Sequence, residues 1–243
     1  MTNITVSASG LSRHYGTRVV VHNIGFELRR GEVLGLLGPN GAGKTTTLQM
    51  LAGCLAPSNG GVEICGIDLL ERPREAKSLL GYLPETPPLY RELTVNEFLR
   101  LAARLHRVAK AAIPAAVESA KQRCGLTDVG KRLIGSLSKG YQQRVGIAQA
   151  IVHNPRVVIL DEPTTGLDPI QIREIRKLIR ELGGEHSVIL STHILPDVES
   201  VCDRVQIMSK GRLAFAGNMT ELKQAHPEQA NLEEVFIHLT QQE

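Results

Sequence analysis

Continuous apolar runs alternate with amphipathic stretches along most of this chain. The runs "EVLGLLG" (32–38), "RVVILDE" (156–162) and "SVILSTH" (187–193) have the length and composition of strands that are covered on both faces. The stretch at 170–183 has a helical period, with its apolar residues on one face: Ile172, Ile175, Ile179 and Leu182. Strands that alternate with such helices predict an α/β fold with a largely parallel, covered sheet.

The first thirty residues and the middle of the chain follow different patterns. Near the N-terminus, alternating apolar positions with Gly16, Gly25 and Gly31 as turn residues predict short antiparallel strands in a small β lobe. From residue 94 onward, Thr94 with Glu97 three positions later predicts a capping box, followed by an apolar helical face: Phe98, Leu101, Ala102 and Leu105. The alanine-rich sequence that continues to Gln149 predicts an inserted helical lobe of about residues 86–150.

The strongest chemical signal is "GPNGAGKTT", which matches the pattern G-x-x-x-x-G-K-[ST] between a predicted strand and a predicted helix. Glycines let successive backbone N–H groups point at phosphate oxygens, and the following helix adds the positive end of its dipole. Lys44 would contact the β and γ phosphates, and the Thr45 hydroxyl would ligate Mg²⁺. The candidate nucleotide-binding residues are Gly38, Pro39, Asn40, Gly41, Ala42, Gly43, Lys44, Thr45 and Thr46.

Two later strands end in residues that suit phosphate chemistry. Asp161 and Glu162 follow one buried strand, where Asp161 would hold Mg²⁺ through water and Glu162 would polarise an attacking water. His193 follows the next strand and could donate to a γ phosphate or to that water. An acidic pair at a strand end also occurs as a helix cap or a solvated turn, but a phosphate loop upstream favours function. Lys44, Glu162 and His193 are therefore the candidate catalytic residues.

Composition and charge say less than the motifs do about the class of protein and its partners. Lys and Arg number 28 against 25 Asp and Glu, a net charge of +3 that is too balanced to indicate nucleic acid as a partner. The four cysteines lack the spacing of a metal site or a disulfide framework, which fits a reducing cytosol. No apolar run approaches the roughly 18 residues of a membrane span, so the chain is expected neither to cross a membrane nor to be secreted.

The order of "GPNGAGKTT", "LSKGYQQR", "VVILDEP", "TTGLDP" and "STH" resembles the nucleotide-binding subunit of the ATP-binding cassette (ABC) family over nearly the whole chain. The resemblance implies a P-loop NTPase fold: a RecA-like core, an N-terminal antiparallel β subdomain and an inserted α-helical subdomain. It implies ATP and Mg²⁺ as cofactors and ATP hydrolysis as the activity. The nucleotide-binding domain is expected at residues 1–220, with a C-terminal helical appendage at 221–243.

The resemblance also gives a role to "LSKGYQQR", which is unusually polar for a helix start. In the family, this signature segment closes over the ATP held by a second subunit arranged head to tail. The corresponding residues here are Leu137, Ser138, Lys139, Gly140 and Tyr141. Tyr15 matches the family's adenine-stacking aromatic, although a tyrosine at that place also suits a hairpin turn. Asp168 matches the acidic residue of the segment that communicates across the dimer.

Three positions depart from the usual pattern of the family. Lys139 and Tyr141 stand where the signature usually has glycine and glutamine, and Glu85 stands where many relatives have a glutamine that touches Mg²⁺ and faces the membrane partner. A carboxylate at Glu85 could still ligate the metal. Together with the closing "NLEEVFIHLT", "GYLPE" and "LSKGYQQR" resemble the branch that serves type-2 exporters, including transporters of the gliding-motility and copper-enzyme-maturation kind.

These resemblances imply particular partners and a location. The chain is expected to drive a separately encoded transmembrane permease, docked around Glu85 and the helical lobe, from the cytoplasmic face of the inner membrane. A second copy is the expected dimer partner, accessory periplasmic or extracytoplasmic proteins are compatible, and nucleic acid is not expected. Two alternatives are an ATPase switch acting on DNA or ribosomes, which usually has two cassettes or a long coiled coil, and a regulator that no longer hydrolyses ATP. The substrate and the choice between homodimer and heterodimer stay open.

Overall fold

Ten strands form two sheets in the computed structural model, which describes residues 3–225, 228 and 231–241. In chain order the strands are β1 (Ile4–Tyr15), β2 (Arg18–Arg29), β3 (Val33–Leu37), β4 (Asn59–Ile64), β5 (Ile67–Asp68), β6 (Leu80–Leu83), β7 (Val157–Asp161), β8 (Ser187–Thr192), β9 (Arg204–Ser209) and β10 (Arg212–Gly217). The order β2-β1-β4-β5 makes an antiparallel sheet, and the order β10-β9-β3-β8-β7-β6 makes a sheet that is parallel except at β10. The predicted fold class is confirmed.

Nine α-helices connect or cover these sheets within the described part of the chain. They are α1 (Lys44–Leu51), α2 (Pro73–Ser78), α3 (Val95–Leu105), α4 (Ile113–Cys124), α5 (Lys139–Ile151), α6 (Pro169–Gly183), α7 (Leu195–Val201), α8 (Met219–Ala225) and α9 (Leu232–Gln241). Between β6 and β7, a stretch that is described throughout, the chain forms α3, α4, α5 and two short 3₁₀ turns. This is the region in which the sequence predicts the helical lobe.

The parallel strands are buried because both of their faces are covered. Every residue of β3, β7 and β8 is buried. The alternation of strand side chains sends Val157 and Ile159 towards the antiparallel sheet and α1, and Val158 and Leu160 towards the helices of the middle segment and α6. The two apolar clusters hold the sheet from opposite sides and leave its strand ends free for chemistry.

The predicted capping box of α3 is confirmed. The Thr94 backbone N–H donates to Glu97 Oε2 at 2.8 Å, and the Glu97 N–H donates to Thr94 Oγ1 at 3.3 Å. The predicted apolar face is wrong at its end, because Leu105 is the last helical residue and is 73% exposed. The capping box satisfies two backbone donors at the start of α3. At its other end, the helix stops where its apolar face leaves the core.

The N-terminal strands differ from their prediction in length. β1 and β2 each span twelve residues, and Gly25 lies within β2 instead of at a turn. A Cβ atom at Gly25 would stand 3.4 Å from the Ala8 carbonyl oxygen, so the glycine allows close backbone approach inside the sheet. Gly16 and Gly31 do occupy turns, with φ of 59° and 75°.

Part of the predicted appendage packs on the core. In α9, Leu232 and Val235 are buried, and Phe236 and Leu239 pack partly buried against the same apolar cluster. The Ser209 hydroxyl, at the end of β9, donates to the Thr240 carbonyl at 3.1 Å. Residues 226, 227, 229, 230, 242 and 243 of the predicted appendage lie outside the described residues.

Three histidines join the helical middle segment to the parallel sheet. His106, at the end of α3, stacks on His153 with ring centroids 3.7 Å apart, and His153 Nε2–H donates to the Leu80 carbonyl at 3.1 Å. His186 Nδ1–H donates to the Pro155 carbonyl at 2.6 Å, and its Nε2 accepts from Arg123 of α4 at 2.7 Å. The His186 contacts require a neutral ring, because a protonated Nε2 could not accept from a guanidinium.

Burial lowers the pKa of all three rings. Burial and the neighbouring His106 bring the pKa of His153 to about 4, and burial with the adjacent Arg123 lowers the pKa of His186. Burial alone lowers the pKa of His106. An unfolded chain binds protons at these histidines more readily than the folded protein does, so folded stability falls as pH falls below about 6.5.

The protein should therefore lose about 2 kcal/mol of unfolding free energy between pH 7 and pH 5. The variant His153→Gln should show a shallower pH dependence, measured by urea denaturation at a series of pH values. The matched control is His14→Gln at an exposed histidine, which should keep the wild-type slope. An unchanged slope in His153→Gln would contradict the assignment.

Candidate functional site

Four adjacent parallel strands end at one edge of the sheet, and each is followed by a candidate residue. The loop 38–43 follows β3, His193 follows β8, Glu162 follows β7 and Glu85 follows β6. These strand ends surround a cavity of about 410 Å³, lined by Arg18, Val20, Asn40, Gly41, Gly43, Lys44, Thr45, Thr46, Glu85, Glu162, Thr165 and His193. Ligands bind at this edge of parallel sheets, so the topology brings the predicted chemistry together.

The glycine-rich loop is held against the strands beneath it. A Cβ atom at Gly38 would stand 2.6 Å from the Met208 carbonyl oxygen, and one at Gly43 would stand 2.8 Å from the Val20 carbonyl oxygen. Gly43 also has a φ of 101° and directly precedes α1. These two positions require glycine because backbone atoms of β9 and β2 occupy the space of a side chain.

Lys44 is buried at the centre of the site. Its ammonium group donates to the carbonyls of Gly38 at 2.8 Å and Pro39 at 3.3 Å, and lies 3.4 Å from Glu162 Oε1. The lysine side chain is 6% exposed, and these oxygens balance its buried charge. Phosphate oxygens could replace the same partners.

Asp161 is fixed by hydroxyl groups from two other elements. Its Oδ1 accepts from Ser191 Oγ at 2.5 Å and from Thr45 Oγ1 at 3.2 Å, whereas its buried Oδ2 has no hydrogen-bond partner among the described residues. Burial raises the pKa of Asp161, with a further rise from the nearby Glu162 and Glu85, while the two hydroxyl bonds oppose the rise. The carboxylate therefore has one oxygen left for another ligand.

Glu162 connects the lysine, a threonine and the histidine. Its Oε2 accepts from His193 Nδ1–H at 2.9 Å and from Thr165 Oγ1 at 3.2 Å, and its backbone N–H donates to Ser191 Oγ at 2.9 Å. Its φ is 48°, in the left-handed region that non-glycine residues seldom adopt. This backbone conformation turns the carboxylate back over the strand end towards Lys44.

Other predicted residues lie outside this 410 Å³ cavity, which we call the phosphate cavity because the predicted phosphate loop lines it. Tyr15 is the last residue of β1, half exposed, with the Arg13 guanidinium 4.8 Å above its ring. Asp168 caps α6, where its Oδ1 accepts from the N–H groups of Ile170 and Gln171 at 3.0 Å each. Ala42 and Pro39 shape the loop without lining the cavity. The structure therefore gives Asp168 a local capping partner within its own chain.

The signature segment starts a helix at a distance from the loop. Ser138 is the N-cap of α5, as predicted, and Leu137 is buried. A Cβ atom at Gly140 would stand 2.6 Å from the Gln171 side chain, and the Lys139 ammonium lies against Gly166. None of residues 137–141 lines the phosphate cavity, although Lys139 lines a neighbouring cavity of about 430 Å³ that also includes Glu85 and Thr165.

Several residues of the site were missed by the sequence patterns. Arg18 and Val20 of β2 and Thr165 line the cavity. Ser191 joins Asp161 to the Glu162 backbone. The apolar run that ends in "STH" signals a strand end, but the pattern does not show that its hydroxyl faces the neighbouring strand. Arg18 comes close only because a hairpin folds beside the loop.

This fold, with its phosphate loop on the first parallel strand and its acidic pair on another, defines a P-loop nucleoside triphosphatase. The sequence profile described as ABC transporter matches residues 21–165. The chain belongs to the ABC transporter family, and it is an ATP-binding subunit and an ATPase coupled to transport.

Named relatives agree with this assignment. The uncharacterized ABC transporter ATP-binding protein YxlF of Bacillus subtilis (strain 168) is 42% identical over 90% of this chain and 72% of its own length. The bacitracin transport ATP-binding protein BcrA of Bacillus licheniformis is 38% identical over 86% of this chain and 68% of its own length. A solved ATP binding subunit of an ABC transporter superposes with a TM-score of 0.86 at 32% identity, covering 97% of this chain and 99% of that one. Within residues 3–225, 228 and 231–241, no helix has the length and apolarity needed to span a bilayer.

The close packing of the loop predicts different effects at two of its glycines. Gly43→Ala should lower the free energy of unfolding by about 2–3 kcal/mol, because its Cβ would meet the Val20 carbonyl as well as a strained φ. Gly41→Ala, the matched control, has a φ of 80° but open space, and should lose about 1 kcal/mol. Urea denaturation of the nucleotide-free protein measures both. Equal losses would show that the contact with β2 does not constrain the loop.

Proposed function

We propose that this chain binds Mg·ATP at the ends of its parallel strands and hydrolyses it to drive a separate membrane permease, with export as the direction. The observation that supports this most directly is that Lys44, Glu162 and His193 line one cavity and contact one another through Glu162, while Asp161 accepts from Thr45 of the same cavity. In this proposal Gly38 to Thr46 hold the phosphates. Glu162, His193 and Lys44 are the catalytic residues.

Hydrolysis uses the groups that are now paired with one another. Phosphate oxygens take the place of the carbonyls and carboxylate around Lys44, which frees Glu162 from the ion pair. The Glu162 carboxylate then accepts a proton from the attacking water, and the new P–O bond forms as the bond to the ADP oxygen breaks. His193, whose Nδ1–H donates to that carboxylate at 2.9 Å, orients it.

The residues around Asp161 suit Mg²⁺. Its free buried Oδ2 and the Thr45 hydroxyl beside its Oδ1 are hard oxygen donors, which Mg²⁺ prefers, and Glu85 lines the same cavity. When bound, the ion neutralises charge that develops on the β and γ phosphates. Thr45, Asp161 and Glu85 are the residues we assign to it.

We assign the signature segment to the site of a second copy of the chain. Residues 137–141 begin α5 outside the phosphate cavity of their own chain, and the N-terminus of this 13-residue helix offers backbone donors to an anion. A head-to-tail homodimer would place Ser138 and Gly140 over the γ phosphate bound by the partner. In that dimer Tyr15 would stack on adenine. Asp168 would communicate the closure of one ATP site to the other ATP site across the dimer.

We place the permease contact at the neighbouring cavity lined by Glu85, Pro87, Arg91, Lys139 and Gln143, among others. Glu85 and Thr165 line both cavities, so a partner seated here would share residues with the ATP site. The chain would then lie on the cytoplasmic face of the inner membrane. The similarity to BcrA, a bacitracin transport protein, supports a place in the type-2 exporter branch.

The variant Glu162→Gln should lower the rate of ATP hydrolysis at least about 100-fold while leaving ATP binding within about twofold of the wild type. A neutral amide cannot take the proton from water, but it keeps the size of the side chain. Phosphate release and binding of a fluorescent ATP analogue measure the two quantities. Glu181→Gln on the exposed side of α6 is the matched control and should retain full activity.

The Glu162→Gln variant also tests which partner the chain binds. A tagged form is purified with ATP from membranes in mild detergent. A multi-span protein recovered in stoichiometric amount identifies the permease. Recovery of ribosomes or of DNA-bound proteins would instead favour the ATPase switch. A Glu162→Gln protein that still hydrolyses ATP at the wild-type rate would remove the catalytic assignment.

Mixing two inactive variants tests the head-to-tail dimer. Lys44→Ala and Ser138→Ala should each abolish turnover, but a mixed dimer contains one site with both changes and one site with neither. The mixture should regain about a quarter of the wild-type rate in a phosphate-release assay. No recovery, under conditions in which the two chains are shown to exchange, would contradict composite sites.

A further inference from the structure

A buried carboxylate outside the phosphate cavity connects three segments of the site. Asp197, in the first turn of α7, is 2% exposed. Its Oδ2 accepts from Thr164 Oγ1 at 2.5 Å and from Thr192 Oγ1 at 3.2 Å. Its Oδ1 accepts from Arg176 of α6 through Nε at 2.7 Å and through Nη2. The guanidinium, which donates twice to this one oxygen, balances the buried charge, which would otherwise be strongly unfavourable.

Two of the three partners of Asp197 stand close in sequence to a residue assigned to ATP hydrolysis. Thr164 comes two positions after Glu162, and Thr192 directly precedes His193. Arg176 belongs to α6, the helix that Asp168 caps. The Thr192 hydroxyl also accepts from the Ile194 N–H at 3.0 Å, which fixes the turn at the histidine. One carboxylate thus holds together the segments that contain Glu162, His193 and Asp168.

These segments need such a connection because the sheet ends before them. The β7–β8 ladder pairs Asp161 with Ser191, and this is the last pair between these two strands. Beyond that point Glu162 has a left-handed φ, and the His193 side chain is 42% exposed with Glu162 as its recorded hydrogen-bond partner. The 2.9 Å contact between the two residues therefore depends on how the loops are fixed relative to each other. Asp197 makes a second link between the same loops, from their buried side.

We propose that Asp197 is a positioning residue for ATP hydrolysis, which sets the geometry between Glu162 and His193 without touching the nucleotide. The inference rests on the proposed roles of these two residues. Because a displacement of reacting groups by about 1 Å lowers rates by up to about 100-fold, loosening this link should reduce kcat more than ATP binding. The phosphate loop makes no hydrogen bond with Asp197 and should be unaffected.

The first experiment compares Asp197→Asn with the wild-type chain. The change keeps the size of the side chain but removes the charge and places an amide N–H₂ against hydroxyl or guanidinium donors. We expect kcat to fall about tenfold or more, with KM for ATP within about twofold. The matched control is Glu32→Gln, which removes the carboxylate of the Glu32–Arg204 ion pair at the opposite end of the sheet. It should reduce stability to a similar degree and leave kcat unchanged.

A second background separates positioning from general destabilisation. If Asp197 acts through the geometry of Glu162 and His193, then Asp197→Asn should have almost no additional effect on kcat in a His193→Ala protein. Single-turnover release of labelled phosphate measures these low rates. A fall by the same factor in both backgrounds would overturn the proposal, because independent structural damage multiplies. A wild-type kcat in Asp197→Asn would overturn it as well.

Thr164→Val keeps the test decisive if Asp197→Asn does not fold. This change removes the link to the Glu162 segment but leaves the Asp197–Arg176 ion pair intact, so the buried charge stays balanced. We expect kcat to fall severalfold with unchanged KM, and an unchanged kcat would reject the inference. Wild-type hydrolysis in Glu162→Gln and His193→Ala would instead reject the proposed function itself, which the same assay measures in parallel.

Discussion

The parallel register of β3, β8 and β7 is the constraint on which the site depends. Backbone pairing sets Leu37 beside Thr192 and Asp161 beside Ser191. Because both faces of these strands are buried, the register cannot slip by one residue without moving apolar side chains out of the two cores. The register thereby places three groups at one edge of the sheet, independently of their own contacts. They are the loop that begins at Gly38, the acidic pair Asp161 and Glu162, and His193. ATP chemistry in this protein is a consequence of where three strands end.

The charged groups of the site pair with one another. Lys44 lies between loop carbonyls and Glu162, and Glu162 also accepts from His193. Unpaired, a buried ammonium and a buried carboxylate would each destabilise the fold, so this mutual pairing stabilises the site. In the proposed function, phosphate oxygens would take the place of these oxygens around the lysine. Among the charged side chains of the site, Asp161 has a buried oxygen, Oδ2, without a hydrogen-bond partner among the described residues.

The sequence predicted the local part of this site and little of its long-range part. Lys44, Asp161 and Glu162 stand out because a glycine pattern and apolar runs define their surroundings within a few residues. Arg18 and Asp197 gave no such signal, since their importance comes from a hairpin beside the loop and from three partners up to 33 residues away. The hairpin of β9 and β10 was missed although it is local, with only residues 210 and 211 between its strands. Gly25 was misread because a glycine inside a strand looks like one at a turn. The roles given to Tyr15, Asp168 and the signature residues rest on family resemblance.

The contacts of the signature segment have a mechanical consequence. Gly140 lies against the Gln171 side chain, and the Lys139 ammonium lies against Gly166. These contacts join the start of α5 to the turn that leads into α6, although the two belong to different parts of the chain. A rotation of α5 would therefore have to move these side chains, push the 166–171 segment or separate from it. Motion of α5 would pass to the 166–171 segment only while these contacts hold, and would no longer do so once the two segments separate.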